Sequence, residues 1–357
     1  MRPDRRGGNE PVDLEIGLPD ARRRHRRSVP GTGDETLQSM LPRAINRPAL
    51  LVLGFLAAAT VATAFERPLA EERAEALGDL GDETVALQRL LEPDADFAPI
   101  PKPGPGDWLA NHPEPGQTYA AFRLAPGHRP DAVRHIIYLQ PLGGFPPEGS
   151  PPLEEIRAYA AAFFQMEVKV LPALAPDEAR FKPRKNPGTG RHQVRSTSIM
   201  AYLVERLPAD AFCLLGLTME DLYPAPSWNY VFGQASLQKR VGVYSFARYD
   251  PAFWGEVRPP DYADLILRRS CQVMAHEIAH MFGLYHCVYF HCLLNGSNNL
   301  TEADAAPQHL CPICLRKLYL AVGFDPVKRY QDLAAFYGRH HWTAESGWTK
   351  RQLAKLP

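Results

Sequence analysis

His276-Glu277-Ile278-Ala279-His280-Met281-Phe282-Gly283-Leu284-Tyr285-His286-Cys287 is the stretch on which the reading of this chain turns. His276 and His280 are four residues apart, so on a helix both imidazoles lie on one face, one turn apart. That spacing lets two ring nitrogens reach one tetrahedral ion at about 2.0–2.1 Å. Glu277, one position on, lies near such an ion without being aimed to ligate it. Its carboxylate can accept a proton from water that the metal has acidified. Glycine is cheap at positive φ, so at Gly283 the helix can stop and the chain can turn back to deliver His286 as a third ligand. Three protein ligands leave a fourth position open, which is the arrangement of a catalytic zinc and not of a closed structural one. His291 has no place on this ligand face and reads as an ordinary surface or core histidine.

Four of the six cysteines follow at once: Cys287, Cys292, Cys311 and Cys314. Two close pairs across a short loop read as a zinc site with four thiolate ligands, with two disulfides as the alternative in an exported protein. Because Cys287 directly follows His286, a second zinc would clamp the chain where the third histidine must be held. Cys213 and Cys271 lie in apolar stretches and read as buried thiols.

The rest of the 357 residues frames this segment. With 45% hydrophobic and 22% charged residues, the chain can form a proper core. Lys+Arg and Asp+Glu balance at 40 each, so there is no basic excess to neutralise phosphates and no nucleic-acid partner is expected. The local run Arg22-Arg23-Arg24-His25-Arg26-Arg27 reads as a solvated tail. Residues 1–48 have no apolar period and read as a disordered N-terminal tail, with Met40 as an alternative start. Residues 49–64, an uncharged apolar run ending in Ala62-Thr63-Ala64, read as a signal peptide or membrane anchor.

Residues 65–115, rich in Pro, Gly and charge, read as a linker or extended wrap, with one helix within Glu66–Leu91. From 116 the pattern becomes regular. Strands are expected at 134–140, 167–171, 211–217, 228–235 and 241–247, the last two as an antiparallel hairpin. Helices are expected at 153–164, 194–207 and 264–284, with a polar loop at 181–191. Alternating strands and helices ahead of the motif give an α/β (α+β) domain with a mixed twisted sheet over residues 116–350.

The chain resembles the archaemetzincins, a family of metzincin-clan zinc metallopeptidases. The residues that carry the resemblance are HEIAHMFGLYHC (276–287), Cys292 and LCPICLRKL (310–318), with weaker echoes in PGDWLANHPEPGQTY (105–119), IYLQPLG (137–143), DLYPAPSWNYVFGQAS (221–236) and RYQDLAAFYGRHHW (329–342). It implies a zincin-like catalytic domain with an active-site helix and a C-terminal helical subdomain stapled by zinc. It implies that His276, His280 and His286 bind a catalytic zinc, that Glu277 is the general base, and that Cys287, Cys292, Cys311 and Cys314 bind a structural one, making two zinc ions per chain. One position departs from the family pattern, which has Met two residues after the second cysteine where this chain has Leu294. Leu and Met have similar volumes, so the apolar floor should persist at a cost below about 1.5 kcal/mol.

The expected activity is peptide-bond hydrolysis on a peptide or protein substrate. The alternatives are trimming of short peptides as an aminopeptidase, or a catalytically silent zinc-stabilised binding protein. An extended substrate would lie along an edge strand formed by Val231, Phe232, Gly233, Gln234 and Ala235. Tyr244, Tyr249 and Tyr285 are candidate oxyanion donors that the sequence does not rank. The chain is expected to be a monomer, exported or membrane-anchored through residues 49–64, with membrane contact there only and a cytoplasmic location as the alternative.

Overall fold

A computed structural model describes residues 65–356, apart from positions 126, 128 and 178. The expectations for residues 1–48, for Met40 and for the 49–64 segment therefore lie outside the described residues. In chain order the elements are α1 (Ala70–Leu77), α2 (Val85–Leu91), α3 (Trp108–Asn111), α4 (Tyr119–Leu124), β1 (Ile136–Leu142), α5 (Leu153–Phe164), β2 (Glu167–Val170), β3 (Arg184–Lys185), β4 (His192–Arg195), α6 (Ser196–Val204), β5 (Ala211–Thr218), β6 (Asp221–Tyr223), β7 (Gly233–Ala235) and β8 (Val241–Ser245). The long α7 (Tyr262–Met281) follows, then α8 (Leu300–Ala305), α9 (Pro312–Val322), α10 (Pro326–Arg339) and α11 (Thr343–Ala354).

A five-stranded sheet with order β2-β1-β5-β8-β7 organises the core. Its first four strands are parallel, and β7 closes one edge antiparallel to β8. Every residue of β1 and β5 is buried, which is why these strands read as continuous apolar runs rather than alternating ones. The two-residue period still sorts the side chains: Ile136 and Tyr138 face α6, while Ile137 and Leu139 face α5 and α7. A small sheet, β3-β4-β6, lies beside the large one. The mixed sheet stands as expected, the motif helix runs over Tyr262–Met281 against the expected 264–284, and α5 has the expected bounds.

Four local differences have physical causes. The helix expected from 194 begins as strand β4, because Gln193 and Val194 pair with Asp221 and Leu222 before the chain coils. β3 and β6, three residues or fewer, are too short to announce themselves by period. The expected strand 228–235 pairs with β8 only over Gly233–Ala235, since Trp228 and Phe232 are aromatic for burial rather than for pairing. The single helix within 66–91 is two helices, broken at Gly78, which stands at φ +73, and restarted at Thr84, whose side chain accepts from Leu87 N.

The stretch 65–115 is also more than a linker. Leu87, Leu90 and Leu91 are wholly buried, and α1 and α2 pack on α9. Arg316 of α9 ties the joint between them, donating to Leu77 O, Asp79 O and Glu83. The Leu87→Ala variant should lower stability by about 2–5 kcal/mol through transfer and cavity costs. Denaturant unfolding of the full chain checks this, and an unchanged midpoint would mean the segment is not part of the core.

Candidate active site and metal centres

α7 carries the first two histidines on its exposed side while Ile266, Cys271, Met274, Ala275 and Ile278 hold the other side in the core. The helix stops at Phe282, and Gly283 follows at φ +89 with its N–H donating to His280 O at 2.8 Å. An added Cβ there would find space, so the backbone angle is what calls for glycine. The turn returns His286 to the pair. The three rings stand 4.6, 5.2 and 5.0 Å apart by centroid, and one ring nitrogen from each lies within 4.8 Å of the others.

The other ring nitrogens fix the chemistry of this cluster. His276 Nδ1 lies 3.0 Å from Leu293 O, His280 Nδ1 2.7 Å from Leu284 O, and His286 Nδ1 2.8 Å from Glu114 Oε1. Carbonyl and carboxylate oxygens only accept, so each Nδ1 must carry the proton and each Nε2 a bare lone pair. His276 Nε2 and His280 Nε2 then face each other at 2.9 Å as two acceptors with no hydrogen between them. Two facing lone pairs repel, and a cation between them would relieve the repulsion. Burial first, and then the neighbouring histidines, hold the His276 pKa well below its ordinary value and bring that of His280 down to about 4. Both are therefore neutral at pH 7, the form that ligates. The donor set fits zinc with three imidazoles.

Glu277 is buried, and this pushes its carboxyl pKa up to about 8. The edge strand lies directly over it: a Cβ added to Gly233 would come within 2.5 Å of Glu277 Oε1. The edge also shows which backbone groups are free. Phe232 O accepts from Ser245 N and Ser236 N donates to Val241 O, so Gln234, midway between, pairs inward with Val243. By the alternation of an antiparallel ladder, Val231, Gly233 and Ala235 turn their backbone groups outward. Val231 N already donates to Leu222 O, which leaves Gly233 and Ala235 as the open edge. Phe232 is buried against Tyr230, and the Gln234 amide oxygen accepts from Ser196 Oγ. Of the three tyrosines, Tyr244 and Tyr249 are wholly buried with unpaired hydroxyls, whereas Tyr285 is half-buried.

The four cysteines meet just below. Their sulfurs all lie within 4.8 Å of one another, Cys287 Sγ stands 3.6 Å from Cys311 Sγ, and all six cysteines are free thiols. Backbone N–H groups of Leu294 and Cys311 point at Cys292 Sγ at 3.5 and 3.3 Å. Cys311 caps the start of α9 and Cys314 sits in its first turn. The loop between the pairs also serves the histidines. Asn295 Nδ2 donates to Cys287 O and Phe290 O, its Oδ1 accepts from Cys292 N, and Cys287 N donates to Leu294 O. This knot sets the Leu293 carbonyl that orients His276. Leu294 is fully buried, so the floor remains apolar without methionine.

Residues that sequence reasoning passed over complete the site. Glu114 accepts from His286 and, at 2.8 Å, from Trp108 Nε1. Burial opposes its ionisation, but the His286 ring and the bonds from His286 and Trp108 outweigh that and hold its carboxyl below the usual range. Gln117 donates to Gly283 O and accepts from Tyr285 N, while the buried Lys317 of α9 donates to both the backbone and the side-chain oxygen of Gln117. The signals for these residues are the weak echo in 105–119 for Trp108, Glu114 and Gln117 and the stretch 310–318 for Lys317.

Two histidines and a buried glutamate on a helix beneath an antiparallel edge strand, with a third histidine returned by the turn that follows, have the layout of a zinc metallopeptidase site. Residues 206–319 match the model of Peptidase family M54. Archaemetzincin-2 of Homo sapiens is 39% identical over 275 residues, covering 69% of this chain and 76% of that protein. The Pongo abelii Archaemetzincin-2 is 38% identical over 283 residues, covering 71% and 78%. A crystal structure of archaemetzincin from Methanopyrus kandleri is 27% identical, with a TM-score of 0.44 over 55% of this chain and 99% of that one. The chain belongs to the archaemetzincin family and is a zinc-dependent peptidase acting on peptides or proteins.

The close approach of Gly233 to Glu277 gives a sharp test. Gly233→Ala must displace the carboxylate, and a misplacement of about 1 Å costs on the order of 100-fold in turnover. Steady-state kinetics with parallel metal analysis should show that loss at unchanged zinc content. Wild-type turnover would mean the strand and the glutamate are not in register.

Proposed function

We propose that this peptidase uses two zinc ions, one held by Nε2 of His276, His280 and His286 and one by the sulfurs of Cys287, Cys292, Cys311 and Cys314, with Glu277 as general base. The observation that carries the reading is that every Nδ1 in the triad is spent on an acceptor, so three bare Nε2 lone pairs converge. Zinc at the triad supplies a Lewis acid that lowers the pKa of water and polarises a peptide carbonyl. Glu277 takes the proton of the attacking water on its carboxylate and returns it to the leaving amine. Its place in a buried pocket keeps that proton from bulk solvent, and a nearby dication favours the ionised form that burial disfavours. Gly233 and Ala235 offer their outward backbone groups to an extended substrate, which adds as a further strand. The free sulfurs grouped within 4.8 Å support the second site, whose work is mechanical: it holds the 287–295 loop and through it His286 and the Leu293 carbonyl.

Native mass spectrometry should find two zinc ions on the wild-type chain and on Glu277→Gln. Turnover of that variant should fall by about 100- to 10,000-fold. Retained cleavage would remove Glu277 from the role of base, and a single zinc would remove the cysteine site.

We also propose export or membrane anchoring through residues 49–64, on the strength of their uncharged apolar run and the small residues that end it. Among the described residues no helix is long and apolar enough to cross a membrane. Fractionation of cells expressing the full chain checks the proposal, and recovery only from the cytosol, uncleaved, would sink it.

A further inference from the structure

We propose that residues 105–117 are a strap that completes the triad, and that Glu114 in it is the positioning residue for His286. This rests on the zinc reading of the histidines given above. The three histidines are not anchored alike. His276 and His280 are oriented by backbone carbonyls of their own neighbourhood, Leu293 and Leu284. His286, at the end of a turn and without a helix to fix it, is oriented by a carboxylate 172 positions away in sequence.

The strap is built to present that carboxylate. Pro113 and Pro115 flank Glu114, fixing their own φ angles and narrowing the backbone of the residue before each. On one side Trp108 N donates to both oxygens of Glu302, at 2.8 and 3.1 Å. The Trp108 ring lies against Gly296, where a Cβ would come within 2.4 Å, and stands edge-on to His286 at 5.2 Å. On the other side Gly116, at φ +71, comes so near the catalytic loop that a Cβ would meet Val288 Cγ2 at 2.5 Å. Gln117 then locks Gly283 and Tyr285 and is itself held by Lys317. These anchors lie on the turn that delivers His286, on the segment between the cysteine pairs and on the helix that carries Cys314, and the rings of Trp108 and His112 pack in addition on Trp228. Glu114 Oε1 takes both the His286 and the Trp108 bond, which fixes the carboxylate in two directions. The family model matches residues 206–319, so Glu114 lies outside that model's match.

A carboxylate on the far nitrogen of a ligating histidine fixes its tautomer and raises its basicity, and its loss weakens metal binding by about 10- to 100-fold. Zinc competition against a chromophoric chelator, on the full chain with metal counted by native mass spectrometry, reads this directly. Glu114→Ala should lose the histidine-site zinc about 10- to 100-fold more readily while keeping the cysteine-site zinc, which reports that the loop is still folded. Glu114→Gln keeps an oxygen able to accept both bonds and should recover most of the affinity. Wild-type affinity in Glu114→Ala, or equal weakening in both variants, overturns the positioning role. A wild-type chain that binds no zinc at the histidines instead overturns the metal reading, so the two failures are distinct.

Discussion

An imidazole presents a lone pair to a metal only if its proton is held on the other nitrogen, and this requirement governs how the molecule is assembled. Each of the three histidines needs its own acceptor at a fixed place. One acceptor comes from the end of the motif helix, one from the loop between the cysteine pairs, and one from the N-terminal strap. Three separate parts of the chain must therefore be brought together before the site exists. The helix end is local and needs only Gly283. The other two are supplied from further along the chain. The knot around Asn295 sets one, and Lys317 of α9, through Gln117, helps hold the strap that carries the other.

Burial works in opposite directions on neighbouring residues of the same helix. It keeps His276 and His280 neutral, which frees their lone pairs, and it raises Glu277, which lets that carboxyl hold a proton near neutral pH. The close pass of β7 produces the second effect, because Gly233 covers the carboxylate and leaves no room for a side chain. The same strand that turns backbone groups outward thus shapes the surroundings of the carboxylate beneath it.

What can be read from the sequence divides along contact range. The histidine spacing, the cysteine pairs and α5 are local patterns, and a helical period or a short spacing is enough to place them. β5 is legible because a central strand buried on both faces leaves an unbroken apolar run. The strand 228–235 reads too long because Trp228 and Phe232 resemble strand residues while serving as core. The stretch 66–91 reads as one helix because its composition does not reveal that Gly78 takes a positive φ. Glu114 and Lys317 stand within stretches that echo the family, but no local pattern assigns them a role. A glutamate between prolines and a lysine on an amphipathic helix look like surface residues, and only contacts 172 and 200 positions apart turn them inward.

Leu294 shows how much of the floor beneath the site depends on side-chain chemistry. At this position the backbone carries the specific contacts: Leu294 O accepts from Cys287 N and Leu294 N points at Cys292 Sγ. The adjacent Leu293 carbonyl, not any side chain, orients His276. The side chain at 294 is left with one duty, to fill an apolar space, and leucine and methionine do so with nearly the same volume. A thioether would add polarizability and freedom of rotation, neither of which the hydrogen bonds in this loop use. The loop therefore tolerates Leu294 because its geometry is held by main chain and by the cysteine cluster. By the same reasoning Asn295, whose amide makes three backbone bonds, is the side chain in this loop whose identity the geometry fixes most tightly.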